Sequence, residues 1–152
     1  MHLKGKILIV ASIVLFITAS IFAGTQVPDV IKMENKAYPK HEKGIVNFTH
    51  KKHAEDYKIG CGECHHDEAG KPLTSLKAGD NVKSCIECHK NPSMKPKGSK
   101  LEDKERRAYH AEAIHDNCKV CHQQHNKKNN LKTGDKGATP TTCNACHGGG
   151  AQ

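Results

Sequence analysis

Hydrophobic residues are distributed unevenly along this chain of 152 residues, which is mostly polar except near its start. A short basic opening that contains Lys4 and Lys6 is followed by an apolar run from Ile7 to Ala23. About 17 apolar residues after a basic opening are typical of a secretory signal peptide, and are slightly few for a membrane span. We predict a signal peptide at residues 1–23, with an uncleaved N-terminal anchor as the alternative.

The sequence after Ala23 has the length of one small domain that is preceded by a lead-in. Residues 24–44 contain Pro28 and Pro39, which interrupt helices, and we predict that they are extended. Residues 45–152 form the predicted domain. Large apolar side chains are scarce in it, and Trp is absent from the whole chain. The predicted fold is therefore mainly irregular, with short α-helices.

Local patterns place a few elements within this domain. Residues 45–48 predict a short strand, and Thr49 is suited to cap a short helix that reaches Tyr57. The best helix candidate is 101–116. Acidic residues lie near its start, where the positive end of the helix dipole would stabilise their negative charge. Residues 123–142 are rich in Lys, Asn and Gly and predict a connection without regular structure.

Four copies of the pattern Cys-x-x-Cys-His contain every cysteine in the chain. This pattern is the attachment signature of a c-type haem. On one helical turn, residues i, i+3 and i+4 share a face, so two thiols can bond to one porphyrin while the histidine binds its iron. Successive copies are 24, 33 and 25 residues apart, so they are not a regular structural repeat. The predicted attachment residues are Cys61, Cys64, Cys85, Cys88, Cys118, Cys121, Cys143 and Cys146, and the predicted iron ligands are His65, His89, His122 and His147.

The residue that precedes a motif also carries structural information. Ser84, Asn117 and Thr142 each stand directly before a first cysteine. These side chains cap helix N-termini well, because their oxygens accept hydrogen bonds from free backbone N–H groups. We therefore predict that short helices begin at the second, third and fourth motifs.

Two other uses of paired cysteines compete with haem attachment. Four Cys-x-x-Cys pairs can form two zinc ribbons, and such pairs also form redox-active disulfides. Neither use needs a histidine after every second cysteine, and histidine makes up only 12 of the 152 residues. Random placement would produce four such histidines roughly a few times in 100,000, so the pattern favours haem.

Four haems change how the composition is interpreted. A chain this polar would normally be marginally stable or disordered on its own, whereas four porphyrins supply large apolar surfaces and covalent crosslinks. We predict that the haems are the core and that the chain without them is largely unfolded.

The formal charge of +8 falls to +6 without Lys4 and Lys6. Eight propionates and four ferric centres bring it to about +2, so the basic excess balances cofactor carboxylates and does not indicate nucleic-acid binding.

The second axial ligand of each iron determines what the haems can do. A second histidine closes the iron for electron transfer, a methionine raises its potential, and an open position permits substrate chemistry. Beyond His2 and the motif histidines, seven histidines remain for four positions, so we predict bis-histidine ligation at all four haems. The candidates are His41, His50, His53, His66, His110, His115 and His125.

Further motifs give the chain a specific resemblance to a known family. Phe48-Thr49-His50-Lys51-Lys52-His53 precedes the first haem motif, His66 directly follows His65, and Tyr109-His110 and His115-Asp116 precede the third motif. In this arrangement the chain resembles the tetrahaem class III cytochromes c, the cytochrome c3 family. The resemblance covers nearly all of the predicted domain, and it implies a small multihaem fold.

The resemblance implies an axial partner for each motif histidine. His50 would be the partner of His65, His53 that of His122, His66 that of His89, and His115 that of His147. His50 and His53 are three residues apart, so on one helix they would point the same way and hold two haems side by side. His110 is the alternative to His115, since at most one of two residues five apart faces the nearest haem. His41 and His125 are interpreted as surface histidines.

The resemblance also implies a function and partners. We predict a periplasmic carrier of low-potential electrons in anaerobic respiration that is not an enzyme. The implied partners are a periplasmic hydrogenase or formate dehydrogenase and a membrane redox complex. Two alternatives stay open. One is a membrane-anchored electron-transfer subunit or a unit of a haem polymer, and the other is a small multihaem reductase of metal ions or oxyanions, which needs a haem without a protein sixth ligand.

Overall fold

The computed structural model describes residues 28–148. The predicted signal peptide or anchor at residues 1–23 lies outside this part of the chain. Regular structure within the described part consists, in chain order, of β1 (Ile31–Lys32), β2 (Asn47–Phe48), a π-helical turn (Lys52–Asp56), a 3₁₀ turn (Cys61–Glu63), α1 (Cys85–Cys88), α2 (Asp103–Arg107), α3 (His110–Lys128) and α4 (Cys143–His147). The rest is irregular, which confirms the predicted fold class.

The predicted lead-in joins the domain through a small sheet. β1 pairs with β2 in antiparallel fashion, with Ile31 opposite Phe48 and Lys32 opposite Asn47. The strand predicted at 45–48 therefore exists but is only two residues long. Its pairing with β1 fixes the direction in which the chain enters the first helical turn.

The sequence predicted a short helix that is capped by Thr49 and reaches Tyr57. A helix does follow Thr49, over residues 50–56, but its last five residues are π-helical. Its hydrogen bonds follow a π pattern, in which Tyr57 N–H donates to the Lys52 carbonyl at 3.0 Å. The hydroxyl of Thr49 lies 3.5 Å from Nδ1 of His53 instead of capping the helix. A π-helical turn is wider than an α-helical one and is frequent at functional sites.

The helix predicted at 101–116 is wrong in its bounds, because the chain is interrupted between α2 and α3. The cause is a contact with a distant segment. Asn91 N–H donates to the Ala108 carbonyl at 3.0 Å, and the Asn91 carbonyl accepts from His110 N–H at 2.8 Å. These two bonds occupy backbone groups that a continuous helix would pair within itself. Tyr109, between them, is in an extended conformation.

α3 is longer than any helix that the sequence predicted. It runs through the third motif and ends at Lys128, inside the segment that composition assigned to an irregular connection. Asn117 therefore lies within α3 and is not an N-cap. Its Nδ2 donates to the carbonyl of Cys64 at 3.3 Å and so ties the third motif to the first. The N-cap predictions at Ser84 and Thr142 are confirmed for α1 and α4.

The part of the polypeptide that the structure describes encloses no apolar core. Within residues 28–148 no hydrophobic side chain is buried, and the two buried residues, His110 and Asn126, are polar. Val82, Met94 and Val120 are exposed. A domain of this length is normally stabilised by buried apolar surface, so contacts between side chains alone do not account for this fold.

Candidate functional site

Eight histidine side chains form four close pairs in this structure. Each pair joins one motif histidine to one histidine from elsewhere in the chain. The ring centres are 6.4 Å apart for His50 and His65, 6.2 Å for His53 and His122, 5.9 Å for His66 and His89, and 6.1 Å for His115 and His147. The structure thus brings together the same four pairs that the resemblance implied.

The distance within each pair fits one metal ion between two rings. A bond from a metal to an imidazole nitrogen is about 2 Å long, and that nitrogen lies about 1 Å from the ring centre, so two rings on opposite sides of one ion have centres about 6 Å apart. Among residues 28–148, no group of three or more His, Cys, Asp or Glu side chains could hold a metal ion. Two imidazole nitrogens from the protein would be enough for an iron whose other four ligands came from a porphyrin.

Backbone carbonyls orient five of the eight paired rings. In each of these rings Nδ1 carries the hydrogen, because a carbonyl oxygen can only accept. Nε2 is therefore left with its lone pair free for a metal, which is the usual arrangement behind a metal-bound histidine. The Nδ1–H groups donate to the carbonyls of Thr49 (from His53, 2.8 Å), Asp67 (from His66, 2.7 Å), Arg107 (from His89), Pro140 (from His122, 2.8 Å) and Gly44 (from His147, 2.7 Å).

Phe48 positions two histidines that belong to different pairs. Its ring centre lies 5.7 Å from that of His50 and 4.7 Å from that of His53. Nδ1 of His50 is buried and makes no hydrogen bond to the described residues, so packing against Phe48 helps to hold this ring. This role of Phe48 was not predicted from the sequence. The sequence feature that could have indicated it is the scarcity of aromatic residues, because a phenylalanine two positions before a histidine is unusual in this chain.

The cysteines of different motifs converge. Cys118 is exposed as a residue, but the atoms around its sulfur desolvate the thiol and raise its pKa to about 11, and the negative charge of other thiolates adds to the effect. Those thiolates belong to Cys64, Cys85 and Cys146 of the three other motifs, as well as to Cys121. The four attachment segments are therefore close enough to interact electrostatically. Haems attached to them would lie near one another.

His110 is held in a different way from the paired histidines. Its side chain is buried on α3, and its Nδ1 lies 2.8 Å from the hydroxyl of Tyr38. Burial lowers the pKa of His110, and the nearby charge of His89 lowers it further. His115, five residues later on the same helix, is the one whose ring faces His147. The geometry thus places His115, and not His110, opposite the fourth motif.

The two histidines interpreted as surface residues remain outside the four pairs. The ring of His41 stacks on Tyr38, with centres 5.3 Å apart and planes 22° apart. His125 is exposed near the end of α3. Neither ring contacts a motif histidine among the ring contacts of residues 28–148.

Comparison with known proteins identifies the family. The model of the class III cytochrome c family matches residues 26–147. The chain belongs to the class III cytochrome c family. A curated relative, cytochrome c3 of Desulfuromonas acetoxidans, is 40% identical over 63 residues, which cover 41% of this chain and 79% of the relative. No solved structure shows significant similarity to the chain.

Membership of the class III cytochromes c establishes the chemistry in outline. These proteins are multihaem electron carriers that bind haem c covalently and exchange electrons with other redox proteins. The motif cysteines and the paired imidazoles of this chain fit such a group. Within residues 28–148, no helix has the length and hydrophobicity needed to cross a bilayer.

Gly44 offers a direct test of how the fourth motif of this class III cytochrome is anchored. A side chain at this position would collide with the backbone carbonyl of His147, whose ring donates to the Gly44 carbonyl. Gly44→Ala is therefore expected to destabilise the haem-loaded protein by about 1–3 kcal/mol, the usual cost of overpacking. Thermal unfolding and the spectrum of the oxidised protein measure the effect.

Gly60→Ala is the matched control for that substitution. Gly60 is extended, and an added Cβ would meet no atom within 4 Å. The control is expected to unfold at the temperature of the unsubstituted protein. Equal stability of both variants would show that Gly44 does not fix the fourth motif.

Proposed function

We propose that this class III cytochrome carries four covalent haem c groups, each between two histidines, and transfers low-potential electrons between redox proteins. The four histidine pairs, with ring centres between 5.9 and 6.4 Å apart, are the observation that carries the proposal. We further propose that residues 1–23 direct export and that the protein works in the periplasm in anaerobic respiration.

Each haem would be held by two thioethers and two imidazoles. Because the partners come from different parts of the chain, each group would crosslink distant segments. The proposed sets are Cys61 and Cys64 with His65 and His50, Cys85 and Cys88 with His89 and His66, Cys118 and Cys121 with His122 and His53, and Cys143 and Cys146 with His147 and His115.

The histidine pairs determine the kind of chemistry. When bound, haem iron supplies reversible one-electron transfer. If the two imidazoles of a pair both bound the iron, they would leave it no position for a substrate, which favours a carrier over a reductase. In the five rings whose Nδ1–H donates to a backbone carbonyl, the imidazole would be more basic, which would favour the ferric state and a low potential.

The proposed partners are a periplasmic hydrogenase or formate dehydrogenase as electron donor and a membrane redox complex as acceptor. Two exposed lysines lie beside motif residues. Lys90 directly follows His89, and Lys119 lies within the third motif. Exposed lysines near haem edges would attract acidic surfaces on partner proteins and speed association.

Mass and gas binding together test the proposal. Protein matured in a host that attaches c-type haem is expected to carry four haem masses. Its reduced spectrum is expected to stay unchanged under carbon monoxide, because every axial position is closed. Fewer than four haems, or a carbon monoxide adduct in the native protein, would contradict the proposal. A colourless protein with bound zinc would support the zinc-ribbon alternative instead.

A further inference from the structure

One of the four histidine pairs has a different geometry from the others. The ring planes of His53 and His122 are 21° apart, so the rings are close to parallel. The planes of the other three pairs are 78°, 68° and 71° apart, which is close to perpendicular. The four proposed haems would therefore differ in electronic structure although all have the same ligand types.

The angle between two axial imidazoles acts directly on the iron d orbitals. Each ring donates π electrons along the normal to its plane. Parallel rings act on the same d orbital and separate it from its partner, whereas perpendicular rings act on both and leave them nearly equal in energy. In low-spin ferric iron the first case gives a rhombic electron paramagnetic resonance signal, and the second gives a signal of large, nearly axial anisotropy.

Asn126 and Thr139 form a group of hydrogen bonds beside the backbone of His122, which we call the clasp. Asn126, one helical turn after His122 on α3, is buried. Its amide bonds to both backbone groups of Thr139, with Nδ2 donating to the carbonyl at 2.9 Å and Oδ1 accepting from N–H at 2.8 Å. The Thr139 hydroxyl lies 3.0 Å from the His122 carbonyl and 2.9 Å from Oδ1 of Asn126.

The clasp reaches the imidazole through the next residue. The carbonyl of Pro140 accepts from Nδ1–H of His122 at 2.8 Å. Its position follows from that of Thr139, which Asn126 holds against α3. On the opposite side, Nδ1–H of His53 donates to the Thr49 carbonyl at 2.8 Å. Both rings of this pair thus have a backbone anchor, and Asn126 sets one of the two anchors.

We propose that His53 and His122 hold an electronically distinct haem, and that Asn126 is the positioning residue that fixes the plane of the His122 ring through Thr139 and Pro140. The inference rests on the proposed four-haem function. It adds that one haem differs from the other three and names the residue responsible.

Electron paramagnetic resonance of the oxidised, fully loaded protein tests the first half. The expected spectrum has one rhombic low-spin signal and three of large anisotropy. His53→Met is expected to remove the rhombic signal and leave the other three. Four low-spin signals of one type would overturn this inference while leaving four bis-histidine haems in place. High-spin iron or fewer haems in the native protein would instead overturn the proposed function.

Asn126→Ala tests the second half. Loss of the clasp is expected to shift or broaden the rhombic signal alone, and to move the reduction potential of that one haem. Asn129→Ala is the matched control, because Asn129 ends the same helix and its Nδ2 donates only locally, to the His125 carbonyl at 2.8 Å. The control is expected to keep all four signals.

A milder variant covers the case in which Asn126→Ala does not mature. Thr139→Val removes the hydroxyl but keeps the backbone groups that Asn126 binds, so a smaller change in the same signal is expected. Four unchanged signals in a matured Asn126→Ala protein would show that Asn126 does not position His122. If only Thr139→Val matures, four unchanged signals in it would count against the clasp.

Discussion

Without covalently attached haem, this polypeptide is expected to be unfolded in solution. Within residues 28–148 no hydrophobic side chain is buried, so apolar burial between side chains cannot offset the conformational entropy lost on folding. The two buried residues are polar, and each of their hydrogen bonds contributes only about 1 kcal/mol of net stability, since water offers comparable partners. The porphyrins would supply the apolar surface, and the thioethers would crosslink segments that are far apart in sequence.

The comparison requires the same chain made with and without haem attachment, both kept reducing so that disulfides do not form. A compact chain of about 120 residues has a radius of gyration of about 14 Å, and an unfolded one about 35 Å. Small-angle scattering is expected to give a value near the larger figure for the haem-free chain. Circular dichroism is expected to show at most partial helix, because even the 19 residues of α3 are marginal as an isolated helix.

A variant with alanine at all eight cysteine positions separates the haem from the thiols. It cannot attach haem, and it is expected to be as expanded as the haem-free chain. Cooperative thermal unfolding of either haem-free form, with a radius near the compact value, would contradict the view that the haems form the core.

The haem motifs could be predicted from sequence because their chemistry is local. Two thiols and one imidazole must reach one porphyrin, and a single helical turn sets their spacing. The N-caps at Ser84 and Thr142 followed from equally local rules. The pairing of His53 with His122 is different, since these residues are far apart in the chain. No local pattern encodes that contact, and only the family resemblance indicated it.

The errors in the predicted helices have tertiary causes. The helix predicted at 101–116 is interrupted because Asn91 binds the backbone on both sides of Tyr109. The interruption also leaves the Arg107 carbonyl in place to accept from the ring of His89. Composition favoured a loop after the third motif, but α3 continues there and carries Asn126 to Thr139. In both places the local sequence preference is overridden, and a backbone carbonyl nearby accepts a hydrogen bond from the ring of a motif histidine.

Replacing His115 by methionine is expected to change one haem and leave three as they are. The ring of His115 lies 6.1 Å from that of His147, which makes it the proposed second ligand of the fourth haem. A methionine in its place would ligate the iron through sulfur or leave the position open. Sulfur ligation is expected to raise the potential of that haem by on the order of 0.1 V, within the roughly 0.8 V range that axial ligands set.

His110→Met is the matched control, because it makes the same substitution five residues earlier on the same helix. His110 bonds to Tyr38 and belongs to none of the four pairs, so its loss is expected to lower stability by about 1–3 kcal/mol and leave all four haems low-spin. Redox titration followed by absorption, together with carbon monoxide binding, distinguishes the two variants. A new high-potential or gas-binding haem in His110→Met, with none in His115→Met, would reverse the assignment. Only one of the two variants is expected to change the fourth haem. Residues five apart on α3 point in different directions, so His110 and His115 cannot both face His147.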